Sequence, residues 1–388
     1  MHHDELLKHL HNASSLLYWD FDTIQKTSTK LTENITKYAA IHSPIYQPTP
    51  TIVEKQHLRS TQNWYIKELP NFINSTTGTS TGKKFMYRIW TEGYNIIEGK
   101  HHYLMILDEF DLKPPLKILY CVFQPRMTDN DDINIFKTDN MVISHGLKGA
   151  AEIHRVQAGP LYHADTDAFY ERLLSYSVKN RIDIIIAQGS TVASLAWYAT
   201  KLNFKDKICR LLSNTGSGMN FSDAELLRRT GVVENWCDHM RSWDGGATFF
   251  TCKHRTYHMH DGLAYVNSID GKMVSTDYFS LVAPFVNYWN GDYCEISDTY
   301  QRCLCGRAYR PFKMGRTRDK TFGSTSTGIT KDALMATEGS HKIKRLTGHN
   351  KHLIVHVREP LRLSESAAMQ AAVPQFTIKF QVERDHVR

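Results

Sequence analysis

Residues 74–84 read Asn-Ser-Thr-Thr-Gly-Thr-Ser-Thr-Gly-Lys-Lys, and these residue types suit an anion-binding loop. Backbone N–H groups, hydroxyl donors and two lysine ammonium groups could together hold one compact, multiply charged anion, of which a nucleotide triphosphate is the obvious example. The spacing excludes the standard P-loop, because only three residues separate Gly78 from Gly82 and Lys84 stands where a Ser or Thr would bind magnesium. The segment predicts a phosphate loop of another kind, with a flexible linker as the alternative.

A second set of residues has the types and spacing of a metal site. Cys252 is followed after five residues by His258, and Cys303 and Cys305 flank a single leucine. Three thiolates and one imidazole complete a tetrahedral zinc site, and such a zinc is structural because the protein fills every ligand position. This predicts a zinc subsite within residues 252–305. The alternative is a set of reduced cysteines and a surface histidine that never meet.

The composition is that of a globular enzyme with a large core. The chain has 388 residues, of which 41% are hydrophobic and 22% charged, and this length predicts one large domain and a smaller one. No window approaches 18 continuous apolar residues, and the N-terminus lacks the apolar stretch of a secretory signal. Seven cysteines are an odd number for disulfide pairing. We therefore expect a cytoplasmic protein with no membrane partner.

The formal net charge of +7 raises the question of a nucleic-acid partner. The lysines and arginines are spread along the chain, and no zinc-finger, homeodomain or RNA-recognition pattern is present. A solvated basic surface, or a pocket for nucleotide and acid substrates, also explains a mild excess of this kind. Nucleic-acid binding is therefore kept as an alternative and is not favoured.

Helical and strand patterns alternate between residues 166 and 229. Apolar residues at helical spacing predict helices over 166–179 and 192–202, and the short apolar runs 182–187 and 208–212 predict buried parallel strands. Ser222 and Glu225 have the spacing of a capping box, which predicts a helix from there to about Arg229. This rhythm indicates a three-layer α/β domain.

The pattern changes twice further along the chain. Short strands with glycine turns are predicted for residues 247–313. The polar stretch 316–350 is followed by predicted strands at 353–357 and 376–382 around a helix near 364–372. We therefore predict a large domain over residues 1–315 and a small α+β domain over 316–388.

Four segments carry a family resemblance in their order along the chain: 271–276, 284–292, 303–307 and 315–319. They resemble the Gly-Glu-Leu-Val-x-Thr strand, the Pro-Leu-Ile-Arg-Tyr-x-x-Gly-Asp strand, the Cys-x-Cys-Gly-Arg turn and the Gly-Arg-x-Asp-Asp hinge of adenylate-forming enzymes. The branch they resemble is that of phenylacetate–coenzyme A ligases, whose members also have a Ser/Thr/Gly-Lys loop and a zinc-binding Cys-x5-His. The resemblance covers roughly residues 50–320. It implies an α/β fold with a large multi-layer N-terminal domain and a small α+β C-terminal domain.

The resemblance also implies a reaction and its site residues. The reaction is ATP-dependent activation of a small carboxylic acid as an acyl-adenylate, followed by transfer to coenzyme A, a carrier protein or another acceptor. The implied cofactors are ATP, Mg2+ and a structural Zn2+. Asp292 would accept hydrogen bonds from the ribose, Arg316 would reach the ribose or the α-phosphate, and Lys83 would hold the departing pyrophosphate. The other implied nucleotide contacts are Thr76, Thr77, Gly78, Ser80, Thr81 and Gly82 at the phosphates, and Asn214, Thr215, Gly216 and Ser217 at the adenine.

The sequence departs from the family pattern at two catalytic positions. The family's magnesium-binding glutamate falls on Trp243, so Asp244 is the nearest carboxylate. The family's C-terminal catalytic lysine has no Gly-Lys counterpart, and Lys379 is the closest candidate. Two alternatives therefore stay open, since a fold does not imply catalysis. One is a nucleotide- or acid-binding module with reduced catalysis, and the other is an enzyme that joins an activated acid or amino acid to a nucleic-acid base.

Overall fold

The computed structural model describes residues 16–54, 57–58, 72–75, 86–90, 105–121, 134–137, 151–157, 167–215, 221–241, 247–278, 280–281, 283–316, 334, 337, 339, 342–349 and 352–382. The α-helices with described bounds are α1 (Phe21–His42), α2 (Asp167–Asn180), α3 (Gly189–Lys201), α4 (Phe221–Arg229) and α5 (Leu363–Ala372). Residues 105–109 are also helical. Short 3-10 turns cover Leu16–Tyr18 and Pro44–Tyr46. None of these helices has both the length and the apolar character needed to cross a bilayer.

The described strands are mostly short and are numbered along the chain. They are β1 (Val53–Glu54), β2 (Phe72–Ser75), β3 (Met86–Trp90), β4 (Leu116–Cys121), β5 (Asn134–Lys137), β6 (Ala151–Gln157), β7 (Ile184–Ala187), β8 (Cys209–Asn214), β9 (Val233–Arg241), β10 (Thr248–Thr251), β11 (Tyr257–Met259), β12 (Ala264–Ile269), β13 (Lys272–Asp277), β14 (Tyr288–Ile296), β15 (Gln301–Arg302), β16 (Ala308–Tyr309), β17 (Phe312–Arg316), β18 (Ile343–His349), β19 (His352–Val357) and β20 (Thr377–Val382). The predicted run of short strands over 247–313 is confirmed by β10 to β17.

The described residues fall into two compact units. The first unit holds those within 1–112 and 239–314, and the second holds those within 113–139, 150–238 and 315–388. Strand β9 begins in the second unit, and its end belongs to the first, where β9, β10 and β11 pair in an antiparallel manner. The predicted domain boundary between residues 315 and 316 stays a prediction.

The first unit is built on a sheet that packs against helix α1. Strands β12, β13, β14 and β1 pair in this order, and β17 also pairs with β14. Helix α1 begins after Asp20, whose carboxylate accepts a hydrogen bond from the Thr23 backbone N–H at 2.8 Å. Buried residues recur along one face of α1 at helical spacing. Three of them join a core with aromatic residues of the sheet region: Leu31, Ile35 and Ala39 with Tyr278, Phe285 and Tyr288.

The second unit contains the predicted parallel sheet. Strands β9, β8, β7, β4 and β6 are parallel in this order, and β5 pairs antiparallel to β6 at the edge. All four residues of β7 are buried, as expected for a parallel strand covered on both faces. Strands β7 and β8 and helices α2 and α3 confirm the alternation predicted between residues 166 and 212.

Helix α4 confirms the helix predicted to run from Ser222 to about Arg229. It spans Phe221–Arg229, so it also includes the residue before Ser222. The capping box itself depends on the side chain of Ser222, which lies outside the described residues, and stays a prediction. The Glu225 carboxylate accepts hydrogen bonds from Arg228 Nε at 2.9 Å and from the Trp236 indole at 3.2 Å. Because Trp236 lies on strand β9, this last bond is a tertiary contact that local spacing does not encode.

The C-terminal residues of the second unit form a small sheet, defined here as β18, β19 and β20. Strand β19 pairs antiparallel with β18 and parallel with β20. Helix α5 connects β19 to β20, which confirms the strand–helix–strand order predicted for residues 353–382. The core of this region is built from Leu334, Ile343, Leu353, Val355, Val357, Met369, Val373 and Phe376.

Candidate functional site

The four predicted zinc ligands come from two turns of the first unit. Cys252 follows β10 and His258 lies on β11, so one hairpin supplies a thiol and an imidazole. Cys303 and Cys305 lie in the turn between β15 and β16, where Gly306 adopts a φ of +86°, a left-handed conformation that favours glycine. The structure brings these four side chains together, with their ligand atoms all within 4.8 Å of one another.

Two of the distances inside this cluster are close to those of a tetrahedral zinc site. Zinc–sulfur bonds of about 2.3 Å and a zinc–nitrogen bond of about 2.0 Å place ligand atoms about 3.5–3.8 Å apart at tetrahedral angles. The sulfurs of Cys252 and Cys303 are 3.7 Å apart, and the Cys305 sulfur lies 3.3 Å from His258 Nε2. Three of the four residues are buried, and Cys305 is half-buried. The donor types, their spacing and their burial therefore fit zinc.

The surroundings of the cluster orient its ligands. His258 Nδ1 lies 3.0 Å from the carbonyl oxygen of Ala308, and because a carbonyl only accepts, the ring donates from Nδ1. This tautomer leaves the lone pair of Nε2 on the side of the thiols. A hydrogen bond from the Cys252 thiol is the main cause that lowers the pKa of Cys305, and the same contact raises the pKa of Cys252.

Glu109 ties the two ligand-bearing turns together. Its carboxylate accepts a hydrogen bond from the backbone N–H of Lys253 at 2.8 Å and another from the buried guanidinium of Arg307. Lys253 directly follows the first ligand, and Arg307 lies two residues after the last one. The sequence analysis missed Glu109, because a residue so far from both turns along the chain has no local pattern that would indicate the contact.

Asp292 lies in a bulge of strand β14 in the first unit. The β13–β14 ladder pairs the residues before and after 290–292. Residues 290–292 themselves lie opposite a single residue of β13, which defines the bulge. The Trp289 indole N–H donates to the Asp292 carbonyl at 2.7 Å across this bulge, and Gly291 adopts a φ of +105°. The Asp292 side chain is half-buried. The bulge therefore removes this carboxylate from the regular ladder and keeps it accessible, and its role at the ribose stays a prediction.

Asn214 and Thr215 lie at the carboxyl ends of the parallel strands in the second unit. Asn214 ends β8, and the backbone N–H of Thr215 donates to the carbonyl of Ala187, the last residue of β7, at 2.8 Å. Ligands of open α/β sheets bind at this edge. Both residues are therefore on the edge where a nucleotide is expected, although their contact with adenine stays a prediction.

Asp238 is a residue of this edge that the sequence analysis missed. It pairs with Asn214 in the β8–β9 ladder, and its carboxylate accepts a hydrogen bond from the Asn214 amide at 2.5 Å. Both side chains are buried. Because the NH2 group of Asn214 points to Asp238, the amide carbonyl oxygen points away from it. If residues 233–238 had been predicted as a strand, Asp238 would have been placed at its end, near the end of β8. The alternation of apolar and polar residues over 233–238 is too weak to predict that strand.

The remaining site predictions are not tested by contacts. Lys379 is exposed in the middle of β20, where it pairs with Ile354, and Arg316 is the last residue of β17. Their catalytic roles stay predictions. The other predicted site residues lie outside the described residues: Thr76, Thr77, Gly78, Ser80, Thr81, Gly82, Lys83, Gly216, Ser217 and Asp244.

Comparison with solved structures identifies the fold. No protein-family model and no curated protein sequence matches the chain. A 2-hydroxyisobutyryl-CoA ligase in the postadenylation state, in complex with R3-HIB-AMP, is similar with a TM-score of 0.68 and 14% identity, covering 94% of this chain and 86% of that chain. The same ligase in the thioesterification state, with 2-HIB-AMP and CoA, has a TM-score of 0.58 and 14% identity. This match covers 96% of this chain and 89% of the ligase. An anthranilate CoA ligase in complex with anthranoyl-AMP has a TM-score of 0.50 and 10% identity. This match covers 80% of this chain and 63% of the ligase.

These likenesses establish the fold of the chain. It has the α/β fold of adenylate-forming acyl- and aryl-CoA ligases, which confirms at the level of fold the resemblance predicted from the ordered motifs.

Proposed function

We propose that this chain is an adenylate-forming ligase that activates a small carboxylic acid with ATP. In the first half-reaction a carboxylate oxygen attacks the α-phosphorus, the bond to pyrophosphate breaks and an acyl-adenylate forms. In the second half-reaction a thiol of coenzyme A or a carrier protein attacks the acyl carbon, and AMP leaves with the electrons of the broken bond. A carboxylate is already a nucleophile, so the first step needs alignment and charge neutralisation more than a general base.

The observation that carries this proposal is the Asp292 bulge on a fold shared with ligases that hold acyl-AMP. An ionised carboxylate can accept two hydrogen bonds from the neighbouring hydroxyls of a ribose. A regular strand would direct its side chains to the two faces of the sheet, whereas a bulge re-aims a side chain next to a ligand. Asp292 is half-buried at such a position and has the place in the chain that the family pattern gives to the ribose ligand.

The Asn214–Asp238 pair supports the predicted adenine turn by holding the end of β8 in place. Both side chains are buried, so their hydrogen bond is structural and does not itself contact a nucleotide. Asn214 ends β8, and the predicted adenine contacts Asn214, Thr215, Gly216 and Ser217 begin there, at the carboxyl edge of the parallel strands.

The other roles in this proposal follow the family resemblance. The loop with Thr76, Thr77, Gly78, Ser80, Thr81 and Gly82 would hold the phosphates. Lys83 would neutralise the departing pyrophosphate, Asp244 would hold Mg2+, Arg316 would contact the ribose or the α-phosphate, and Lys379 would be the lysine nearest to the family's catalytic one. Neutralising the charge that develops on the phosphates is the chemistry that Mg2+ supplies when bound.

The same proposal assigns Cys252, His258, Cys303 and Cys305 to a structural Zn2+. Bound there, zinc would cross-link the two turns and supply no reactive position, since four protein ligands complete its tetrahedron. The seven cysteines are free thiols. Free thiols and a thiolate-bound metal favour a reducing compartment, so we place the protein in the cytoplasm.

ATP–pyrophosphate exchange with separate pools of aromatic, aliphatic and amino acids tests the proposal. We expect exchange in one pool, which also identifies the class of acid. Asp292→Asn should raise the KM for ATP at least about tenfold, because a charged hydrogen bond contributes about 1.5–3 kcal/mol. Asp298→Asn is the control, since Asp298 is an exposed aspartate of the same unit.

Two outcomes would replace this proposal. ATP binding without exchange in any pool would support a nucleotide-binding module with reduced catalysis. Exchange that requires DNA or RNA, together with binding that weakens steeply with salt, would support an enzyme that acylates a nucleic-acid base.

A further inference from the structure

The four ligands of the predicted zinc site differ in their access to solvent. Cys252 and His258 are buried and Cys303 is 7% exposed, whereas Cys305 is half-buried. Leu304, between the two thiols of the second turn, is 86% exposed, so that turn lies at the surface of the first unit. A small solute in water therefore reaches the sulfur of Cys305 before it reaches the other three ligands.

The cysteines outside the site offer no competing thiol. All seven cysteines lie within the described residues, and the four that do not belong to the site are buried: Cys121, Cys209, Cys237 and Cys294. Burial raises the pKa of three of them, Cys121, Cys209 and Cys294, and a buried thiol that keeps its proton is chemically inert. A thiol that binds zinc has lost its proton. Among the seven, Cys305 thus combines thiolate character with access from water.

Cys252 supplies a second sulfur close to that of Cys305. The Cys252 thiol donates a hydrogen bond to Cys305, and the ligand atoms of the site lie within 4.8 Å of one another. The two sulfurs of a disulfide are about 2.05 Å apart, so a shift of less than about 3 Å would bring these two sulfurs into bonding distance. The two turns can therefore be joined by a covalent bond without a rearrangement of the fold.

We propose that Cys305 is a site of oxidation by hydrogen peroxide and makes the zinc site a redox switch. The inference rests on the structural zinc of the proposed function. The Cys305 thiolate attacks one oxygen of the peroxide, so an S–O bond forms, the O–O bond breaks and hydroxide leaves. The Cys252 thiolate then attacks the sulfur of the resulting sulfenic acid, an S–S bond forms and a second hydroxide leaves. The two thiolates lose two electrons in all, and the peroxide gains them.

The disulfide changes what holds the two turns together. Only Cys303 and His258 then remain as metal ligands, and two ligands hold zinc far more weakly than four. The site therefore loses zinc, while the Cys252–Cys305 bond takes over the cross-link between the β10–β11 hairpin and the turn between β15 and β16. Reduction of the disulfide by a dithiol returns both thiolates, so the change is reversible.

Zinc release from the full chain tests the switch without an activity assay. With hydrogen peroxide and a weak chromogenic zinc indicator, we expect release of about one equivalent of zinc and loss of about two thiols per chain. A dithiol with added zinc should restore both. Mass spectrometry should find a Cys252–Cys305 disulfide and unmodified thiols at the four cysteines outside the site. A disulfide that does not include Cys305, or first oxidation at another cysteine, would overturn the proposal.

Two matched variants separate Cys305 from the other thiols of the site. Cys305→His and Cys303→His each leave two thiolates and two imidazoles, a ligand set that also binds zinc. Cys303→His keeps the accessible thiolate and should release zinc within about threefold of the wild-type rate. Cys305→His lacks it and should release zinc at least about tenfold more slowly. Equal rates in the two variants would overturn the switch, and the disulfide found in wild type decides the same question without any substitution.

The untreated chain separates this inference from the proposed function. Zinc that is present but stays bound in peroxide would overturn the switch and leave the structural zinc in place. An untreated chain without zinc would reject both. Peroxide-dependent zinc release from a chain that shows no ATP–pyrophosphate exchange with any acid would keep the switch and reject the ligase.

Discussion

Replacing Cys303 by alanine should release the proposed zinc and destabilise the first unit. Zinc would join His258 on β11 to the turn between β15 and β16, and this link closes a loop of about 45 residues. For a cross-link over a loop of that length, the entropy removed from the unfolded chain corresponds to about 4 kcal/mol. We therefore expect the free energy of unfolding to fall by about that amount beyond the cost of the lost side chain.

Cys294→Ala provides the matched control. Cys294 is buried in the same unit, 4% exposed against 7% for Cys303, but it does not belong to the ligand cluster. Each variant loses one buried sulfur, so their packing costs should be similar, about 1–2 kcal/mol. The difference between the unfolding free energies of the two variants therefore measures the contribution of the zinc. At about 2–4 °C per kcal/mol, Cys303→Ala should unfold about 8–16 °C below Cys294→Ala.

Metal analysis and thermal unfolding together provide the assay. Wild type and Cys294→Ala should retain about one equivalent of zinc after gentle purification, and Cys303→Ala less than about half an equivalent. A chelator should lower the unfolding temperature of wild type to near that of Cys303→Ala and leave the variant unchanged. Zinc-free wild type, or equal unfolding temperatures for the two alanine variants, would refute this reasoning.

Two further predictions concern Glu365 on helix α5. Gly339 and Gly231 both have a φ of +80°, but a Cβ at Gly339 would lie 2.8 Å from Glu365 Cδ, whereas nothing lies within 4 Å at Gly231. In urea unfolding, Gly339→Ala should therefore cost about 1–2 kcal/mol more than Gly231→Ala, and equal costs would contradict the clash. Burial alone would raise the pKa of Glu365, but hydrogen bonds from the Arg362 backbone and from Lys342 lower it to about 2. The stability from this ionised carboxylate is complete above about pH 4.5 and is lost as the pH falls toward 2, on the order of 1–2 kcal/mol after allowance for solvent screening. Glu365→Gln should remove this acid dependence in unfolding curves, and an unchanged slope would show that another group is responsible.

Local patterns in the sequence predict the elements of the second unit well. The apolar runs that become β7 and β8, and the helical spacing that becomes α2 and α3, are properties of neighbouring residues, so they can be recognised without knowing what packs against them. Where a role depends on a distant partner, local spacing fails. The hydrogen bond of Glu225 to Trp236, on the next strand, is a contact that the spacing of Glu225 does not indicate.

The residues of the candidate site likewise differ in whether the sequence could predict them. The types of the zinc ligands and their close pairing in two short motifs were determined by the sequence, because thiols and imidazoles at such spacing suit one kind of metal. Their convergence depends on two hairpins that are far apart in the chain, and Glu109, which ties those hairpins together, has no sequence signal. The bulge that displaces Asp292 and the Asn214–Asp238 pair arise from strand register.

The sequence by itself determined the fold class, the order of the motifs and the chemistry of the ligands, since these depend on residue type and short-range spacing. The tertiary structure alone decided which of those residues meet, at what distance and in which orientation. The physical reason is that pairing register and side-chain contacts between distant segments are set by the joint packing of many apolar residues, and no single stretch of the chain contains that information.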